Sequence, residues 1–283
     1  MSVAVRKIST EKITIAVKKM CIESNTILGD DVLQAIRQAH DVEESAVAKD
    51  IFNQFLKNAE IARKEGIPLC QDTGLAVVFI ELGQDVHLVG GSLEDAINAG
   101  VRQGYGEGYL RKSSLDPIKR ENFGDNTPAI THVEIVPGNK LKLSVATKGF
   151  GAENMSRVVL FPPATGLDGV KKFVVERVEK AGANACPPVI VGVGLGGNLE
   201  KAAIIAKKSL LRPIGQRHSD PEVAQLEEEL LEEINKLGIG PQGLGGRITA
   251  LDVHIETYPT HIGSLPVAVN LQCHCHRHKE QVL

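Results

Sequence analysis

One short stretch constrains the fold more than any other: Pro68-Leu69-Cys70-Gln71-Asp72-Thr73-Gly74, where the chain changes its apolar period. Before it, apolar residues recur at helical spacing up to Lys64-Glu65-Gly66. After it, residues 75–82 form a nearly unbroken apolar run. A helix must end and a strand must begin within a few residues of each other. Proline stiffens the entry, glycine loosens the exit, and a thiol, an amide, a carboxylate and a hydroxyl lie between them. Rigid elements on both sides of such a turn aim its short polar side chains into a cleft. Cys70, Gln71 and Asp72 are therefore candidate site residues.

The flanking pattern extends to a whole architecture. Ser9-Thr10-Glu11-Lys12 opens a capped helix, a second helix covers residues 31–39, and a third covers 45–64. Past the turn, residues 75–82 and 86–89 read as a strand pair or as one strand with a ragged continuation, and Ser92 caps a helix that runs out into Gly104, Gly106 and Gly108. Those glycines read as a flexible approach to Arg111. That arginine is either a solvated loop charge or a clamp whose planar fork grips a carboxylate at two points. Residues 129–136 and 140–147 alternate apolar with polar and are joined by Pro137-Gly138-Asn139, a β-hairpin signal. Helices follow at 169–180, 199–210 and 219–237, with strands at 189–191, 247–258 and 265–271. No internal repeat or linker is evident. The expected fold is mixed α/β (α+β): one continuous domain over 1–283, with a helical subdomain over 1–65 followed by β-sheet regions flanked by helices.

Two glycine-bearing loops could bring backbone N–H groups close to a ligand. The first is Lys148-Gly149-Phe150-Gly151-Ala152-Glu153-Asn154. The second, Gly192-Val193-Gly194-Leu195-Gly196-Gly197-Asn198, contains G-x-G-x-x-G between a strand and a helix. A dinucleotide site also needs a second parallel strand ending in an acidic residue roughly 20 residues on. The sequence there, Arg212 to Pro221, reads as a loop, so a nicotinamide site is not expected.

Composition narrows the function. A net charge of -3 gives no general attraction to phosphate backbones, so nucleic acid is not an expected partner. No apolar run approaches the roughly 20 residues of a membrane span, and the first residues lack a signal-peptide core. Five cysteines in 283 residues do not suggest a disulfide framework, which points to a reducing, cytoplasmic compartment. Cys21, inside a helix, reads as a core residue. The tail Cys273-His274-Cys275-His276-Arg277-His278 invites a zinc reading, that of a zinc-binding structural or regulatory protein, although no second ligand pair exists elsewhere. The other arrangement takes Cys70, Cys186 and Cys273, each at a chain turn; three thiolates can hold an iron–sulfur cubane and leave its fourth iron open.

At this point the motifs match a known family. The Pro68–Gly74 string resembles the class I iron–sulfur fumarate hydratases. So do Asn126-Thr127-Pro128-Ala129, the loop from Lys148 to Asn154, and Ala185-Cys186-Pro187-Pro188 with its glycine run. Tyr258-Pro259-Thr260-His261, continuing through Pro266 and Asn270 to Cys273, completes the set. The resemblance spans nearly the whole chain but only the N-terminal half of the long single-chain enzymes, which implies the alpha subunit of a split form with a beta subunit as partner. It also implies that Cys70, Cys186 and Cys273 hold a [4Fe-4S] cluster and that Gln71, Asp72, Arg111 and His261 line a dicarboxylate site. Fumarate and malate are the implied substrates, and L(+)-tartrate dehydratase shares the same pattern. Asp72 is the implied acid/base group, its alternative role being to shape the turn; His261 either anchors a carboxylate or bonds within its own turn. Phe150 and the pair Cys275-His276 depart from the family pattern.

Overall fold

The computed structural model describes residues 5–283. The chain begins with β1 (Arg6–Ser9), α1 (Thr10–Thr26), α2 (Asp30–Val42) and α3 (Ala46–Glu65). It continues with β2 (Leu75–Gly83), β3 (Val86–Val89), α4 (Leu93–Glu107), β4 (Ile130–Val136), β5 (Leu141–Lys148), α5 (Phe150–Glu153) and β6 (Arg157–Phe161). Then come α6 (Gly166–Ala181), β7 (Val189–Gly196), α7 (Leu199–Ser209), α8 (Pro221–Asn235), β8 (Ala250–Tyr258), β9 (Leu265–Gln272) and β10 (His278–Val282). The class is mixed α/β, as expected. Side-chain caps fix several helix starts: Ser9, Ser92, Asn198 and Asp220 each accept a backbone N–H from the first turn that follows.

The chain divides into two compact units. The first comprises residues 5–28, Ala59–Gly149 and Arg277–Leu283. Its four-stranded sheet has the order β10-β5-β2-β4. β2 is buried over most of its length, so it takes a central place, antiparallel to β5 and parallel to β4. The predicted hairpin of β4 with β5 is therefore corrected: both strands form, but β2 lies between them. The turn after β4 instead crosses the end of β2, where Gly83 and Asp85 donate to the carbonyls of Lys140 and Gly138. β3 does not pair with β2 either; it runs parallel to β1 as a separate two-stranded ribbon.

Helices α1 and α4 cover one face of this sheet. α1 contributes Ile13, Ala16, Val17, Met20 and Cys21 to a core shared with Val78, Ile80, Leu143 and Val145. Gly100 and Gly104 of α4 turn out to be packing residues within the helix, whereas Gly106 has open space around it. A Cβ on Gly100 would sit 2.7 Å from the Val17 Cβ, and one on Gly104 would sit 2.9 Å from the Cys21 Cβ. Close approach of α1 excludes any side chain there.

The second unit comprises Gly29–Asn58 and Phe150–His276. Its sheet, β6-β9-β7-β8, repeats the path of the first. In each, a central strand crosses through helix to a parallel neighbour, and the next strand returns antiparallel on the other side. The recurrence is one of topology, which explains why no repeat shows in the residues. β7 runs through the predicted glycine turn as far as Gly196. Gly192 and Gly194 face α7, where an added Cβ would meet the carbonyls of Ala206 and Ala202 at 2.2 and 2.0 Å. These glycines permit close strand–helix packing and do not cradle a phosphate.

A buried ionic network ties α8 and the 212–218 loop to β8. Glu227, with no exposed side-chain surface, accepts from Arg212, from the Ile255 N–H and from the His218 N–H. Asp252, equally buried, accepts from Arg217, His254 Nε2 and the Gly215 N–H. Burial pushes the Asp252 carboxyl up, but His254, Gly215 and Arg217 outweigh it and hold it below the usual carboxylate range.

Candidate active site

The turn after α3 is held from all sides within the first unit. The Leu69 N–H donates to the Asn25 carbonyl at 2.8 Å. Arg277, nearly fully buried, donates to the Asp72 carbonyl at 2.6 Å and to Asn25 Oδ1 at 3.1 Å. The Tyr105 hydroxyl lies 2.8 and 2.9 Å from the carbonyl oxygens of Thr73 and Gly74 and donates between them. Burial raises the Tyr105 phenol well above its ordinary pKa, so it stays a donor. Asn126, in the left-handed region at φ 63°, donates to the Gly74 carbonyl and accepts from the N–H groups of Ser113 and Ser114. Gly74 itself needs φ +72°, with the Lys148 backbone 2.5 Å from any added Cβ.

This scaffold leaves the chemistry-bearing groups accessible. Cys70 and Asp72 are half-buried and Gln71 is exposed. One Asp72 oxygen accepts the Gly74 N–H at 3.0 Å, an Asx-type bond that fixes the rotamer. The other lies 3.2 Å from where a Gly149 Cβ would stand, and an Arg277 nitrogen lies 2.9 Å from that same point. Gly149 thus keeps space beside the carboxylate, while Phe150 to Glu153 form the short helix α5 and not an open loop. The structure brings Arg111 to this turn through its backbone, because Thr73 Oγ1 donates to the Arg111 carbonyl at 2.9 Å and the side chain stays exposed. Tyr105→Phe removes the donor shared by two buried carbonyls; a loss of about 1–3 kcal/mol in folding free energy is expected, readable by urea denaturation.

In the second unit, Cys186 follows α6 in the left-handed conformation, at φ 53° and ψ 60°. For a side chain with a Cβ that costs roughly 1–3 kcal/mol. Its carbonyl accepts from the His274 backbone N–H at 3.4 Å, which brings the residue following Cys273 against it. The His274 ring stacks on Phe55, with centroids 3.8 Å apart, and lies 3.2 Å from Gln242 Nε2. His261 is exposed in the β8–β9 turn, where its Nδ1 accepts the Gly263 N–H at 3.0 Å.

The cysteines sort by environment. Cys21 is fully buried and its thiol is pushed up to about 12 by burial, so it is inert. Cys275 is buried as well. Cys70, Cys186 and Cys273 are the half-buried set, at turns or strand ends and in no disulfide, and thiolates are the donors that an iron–sulfur cluster takes. Among the described residues, no three His, Cys, Asp or Glu side chains converge as a single-ion site. The tail therefore supplies no ready-made zinc tetrahedron. A cluster spaces its thiolates around a cage and does not need them at one point.

Sequence reasoning missed Asn25, Tyr105 and Arg277 as the residues that hold the turn. Only Tyr105, a large side chain among helix glycines, offered a local hint.

Residues 14–282 match the family model described as Fumarate hydratase (Fumerase). A protein of Methanocaldococcus jannaschii, named provisionally as an L(+)-tartrate dehydratase subunit alpha, is 41% identical over 273 residues, covering 93% of this chain and 94% of the relative. The L(+)-tartrate dehydratase subunit alpha of Escherichia coli K12 is 36% identical over 282 residues, covering 98% and 92%. Hydratase and dehydratase name the two directions of one chemistry, and the class so defined is a hydro-lyase. The chain belongs to the fumarate hydratase family. No helix among the described residues is long and apolar enough to cross a membrane.

Proposed function

We propose that this chain is the alpha subunit of a two-subunit iron–sulfur hydro-lyase that reversibly hydrates fumarate to malate and works with a beta subunit. The observation that carries the reading is the Cys70–Gly74 turn: a half-buried thiol and carboxylate on a rigid, fully hydrogen-bonded scaffold, with Arg111 attached to it. Cys70, Cys186 and Cys273 would hold a [4Fe-4S] cluster, which supplies the Lewis acidity that lets hydroxide leave without free charge. Asp72 takes and returns the proton at the neighbouring carbon. Arg111 grips one substrate carboxylate bidentately and Gln71 orients the substrate through its amide. His261 serves the other carboxylate through Nε2. Further cationic groups for the dianion come from the beta subunit. Five cysteines, none of them in a disulfide, agree with a reducing, cytoplasmic setting, and no membrane or nucleic-acid partner is proposed.

The names of the relatives favour a second reading, L(+)-tartrate as the substrate. The two substrates differ by one hydroxyl. Oxygen-free coexpression with the beta subunit, followed by turnover of malate and L(+)-tartrate side by side, decides between them. Faster malate turnover supports the first reading, and faster tartrate turnover the second. No turnover of either, in a sample shown to contain the cluster, overturns both.

A further inference from the structure

The run Asn126-Thr127-Pro128-Ala129 supplies no group assigned to substrate or cluster, yet Asn126 is built into the site. It has no exposed surface and stands at φ 63°. A buried amide needs partners at both ends inside the protein, and Asn126 finds them on two different segments. Nδ2 donates to the Gly74 carbonyl at 3.1 Å, at the close of the Cys70–Gly74 turn. Oδ1 accepts the Ser113 N–H at 2.6 Å and the Ser114 N–H at 3.2 Å, just past Arg111. Ser114 Oγ returns a bond to the Thr127 carbonyl at 2.8 Å. Thr73, also buried, ties the same two segments again, donating from Oγ1 to the Arg111 carbonyl. The support under Asn126 is α4: Asn98 Oδ1 accepts the Ala129 N–H at 2.9 Å, and Arg102 Nε donates to Asp125 at 2.8 Å.

We propose that Asn126 is a positioning residue for the substrate: it clasps the Arg111 segment to the Cys70–Gly74 turn and so fixes where the Arg111 fork stands relative to Asp72. This role rests on Arg111 gripping a substrate carboxylate. The Arg111 side chain is exposed, so its place is set through its backbone. A two-point grip on a planar carboxylate tolerates little displacement, and a shift of about 1 Å is enough to lose most of it. An amide suits the task because it accepts from one segment while donating to the other. A carboxylate at this position would accept from both serines but could not donate to the Gly74 carbonyl. The separation fixed by the clasp also limits the length of dicarboxylate that can reach Arg111 and Asp72 together.

The test uses the coexpressed two-subunit protein with its cluster, and whichever of malate and L(+)-tartrate turns over faster. Asn126→Gly suits the left-handed backbone and removes both ends of the clasp. It is expected to raise KM about tenfold while kcat stays within about threefold of wild type. Amide hydrogen exchange should speed up at Ser113 and Ser114 and stay unchanged in β2, which separates local release from unfolding. Thr73→Val removes only the Oγ1 bond and is expected to raise KM about threefold by the same route. In an Arg111→Ala background, where the grip is already lost, Asn126→Gly should add less than about twofold, because residues acting as a unit are not additive. Thr73→Val carries the same comparison if Asn126→Gly does not fold. Unchanged KM and unchanged exchange in Asn126→Gly overturn the proposed role. So does a loss confined to kcat, or a rise in KM that persists in full in the Arg111→Ala background; both leave the assignment of Arg111 standing. If Arg111→Ala itself leaves KM unchanged, the assignment of Arg111 fails and the role of Asn126 falls with it.

Discussion

Asp72→Asn is expected to cut turnover by about a thousandfold while leaving the fold and the substrate KM nearly unchanged. The substitution separates the two roles open to this side chain. Asparagine keeps an oxygen where Asp72 Oδ1 accepts the Gly74 N–H, so a residue that merely shapes the turn survives the change. It cannot take a proton at the other position, so a residue that moves protons does not. The surroundings guard against collapse of the turn in the variant, because Tyr105, Asn25, Asn126 and Arg277 all bind the turn through its backbone. Steady-state kinetics with thermal melting as a control provides the check. Retention of more than a tenth of the wild-type kcat would return Asp72 to a turn-forming role.

The second large effect concerns stability. Glu227→Gln removes a fully buried charge that faces both Arg212 and Arg217, whose side chains are 11% and 24% exposed. Breaking a buried pair from one side typically costs 3–5 kcal/mol, since the partner charge stays behind. Against a folding free energy of about 5–15 kcal/mol this is a substantial fraction. The melting temperature should fall by about 10 °C on calorimetry. A fall of only a degree or two would show that Glu256, which also accepts from Arg212, carries the pairing by itself. The same network sets an acid limit. The folded Asp252 carboxyl titrates below its unfolded value, so its contribution is fully present above the ordinary aspartate pKa of about 3.9. That contribution is lost as pH falls from there through the depressed folded value. Asp252→Asn should flatten this acid limb.

What could be read from the residues was mostly local. The caps at Ser9 and Ser92, the helical periods of α1 to α3 and the class of fold all follow from short windows. The Pro137-Gly138-Asn139 turn was equally visible, but its partner choice was not. A hairpin reading assumes that neighbouring strands pair, whereas the largely buried β2 competes for the centre of the sheet and wins on apolar burial. Strand β10 escaped notice because His278-Lys279-Glu280-Gln281-Val282 offers one apolar residue, and its pairing depends on β5 far upstream, where Glu280 accepts from Ser144. Gly104 of α4 and Gly192 and Gly194 of β7 looked like loop formers; their reason lies in the helices that press against them. At the site, the accessible groups stood out by type and spacing. The supports at Asn25, Tyr105 and Arg277 did not, since each reaches the turn from a distant part of the chain.

The central claim is that Cys70, Cys186 and Cys273, and no other cysteines, hold one cluster. The most direct measurement is the iron, acid-labile sulfide and visible absorption of the coexpressed two-subunit protein after oxygen-free reconstitution, compared with single Cys→Ser variants at all five cysteines. About four irons and four sulfides per alpha chain are predicted. The cluster should be lost on substituting residue 70, 186 or 273 and kept on substituting Cys21 or Cys275. A cluster that survives loss of any one of the three thiols, or one that disappears with Cys275, would contradict the account.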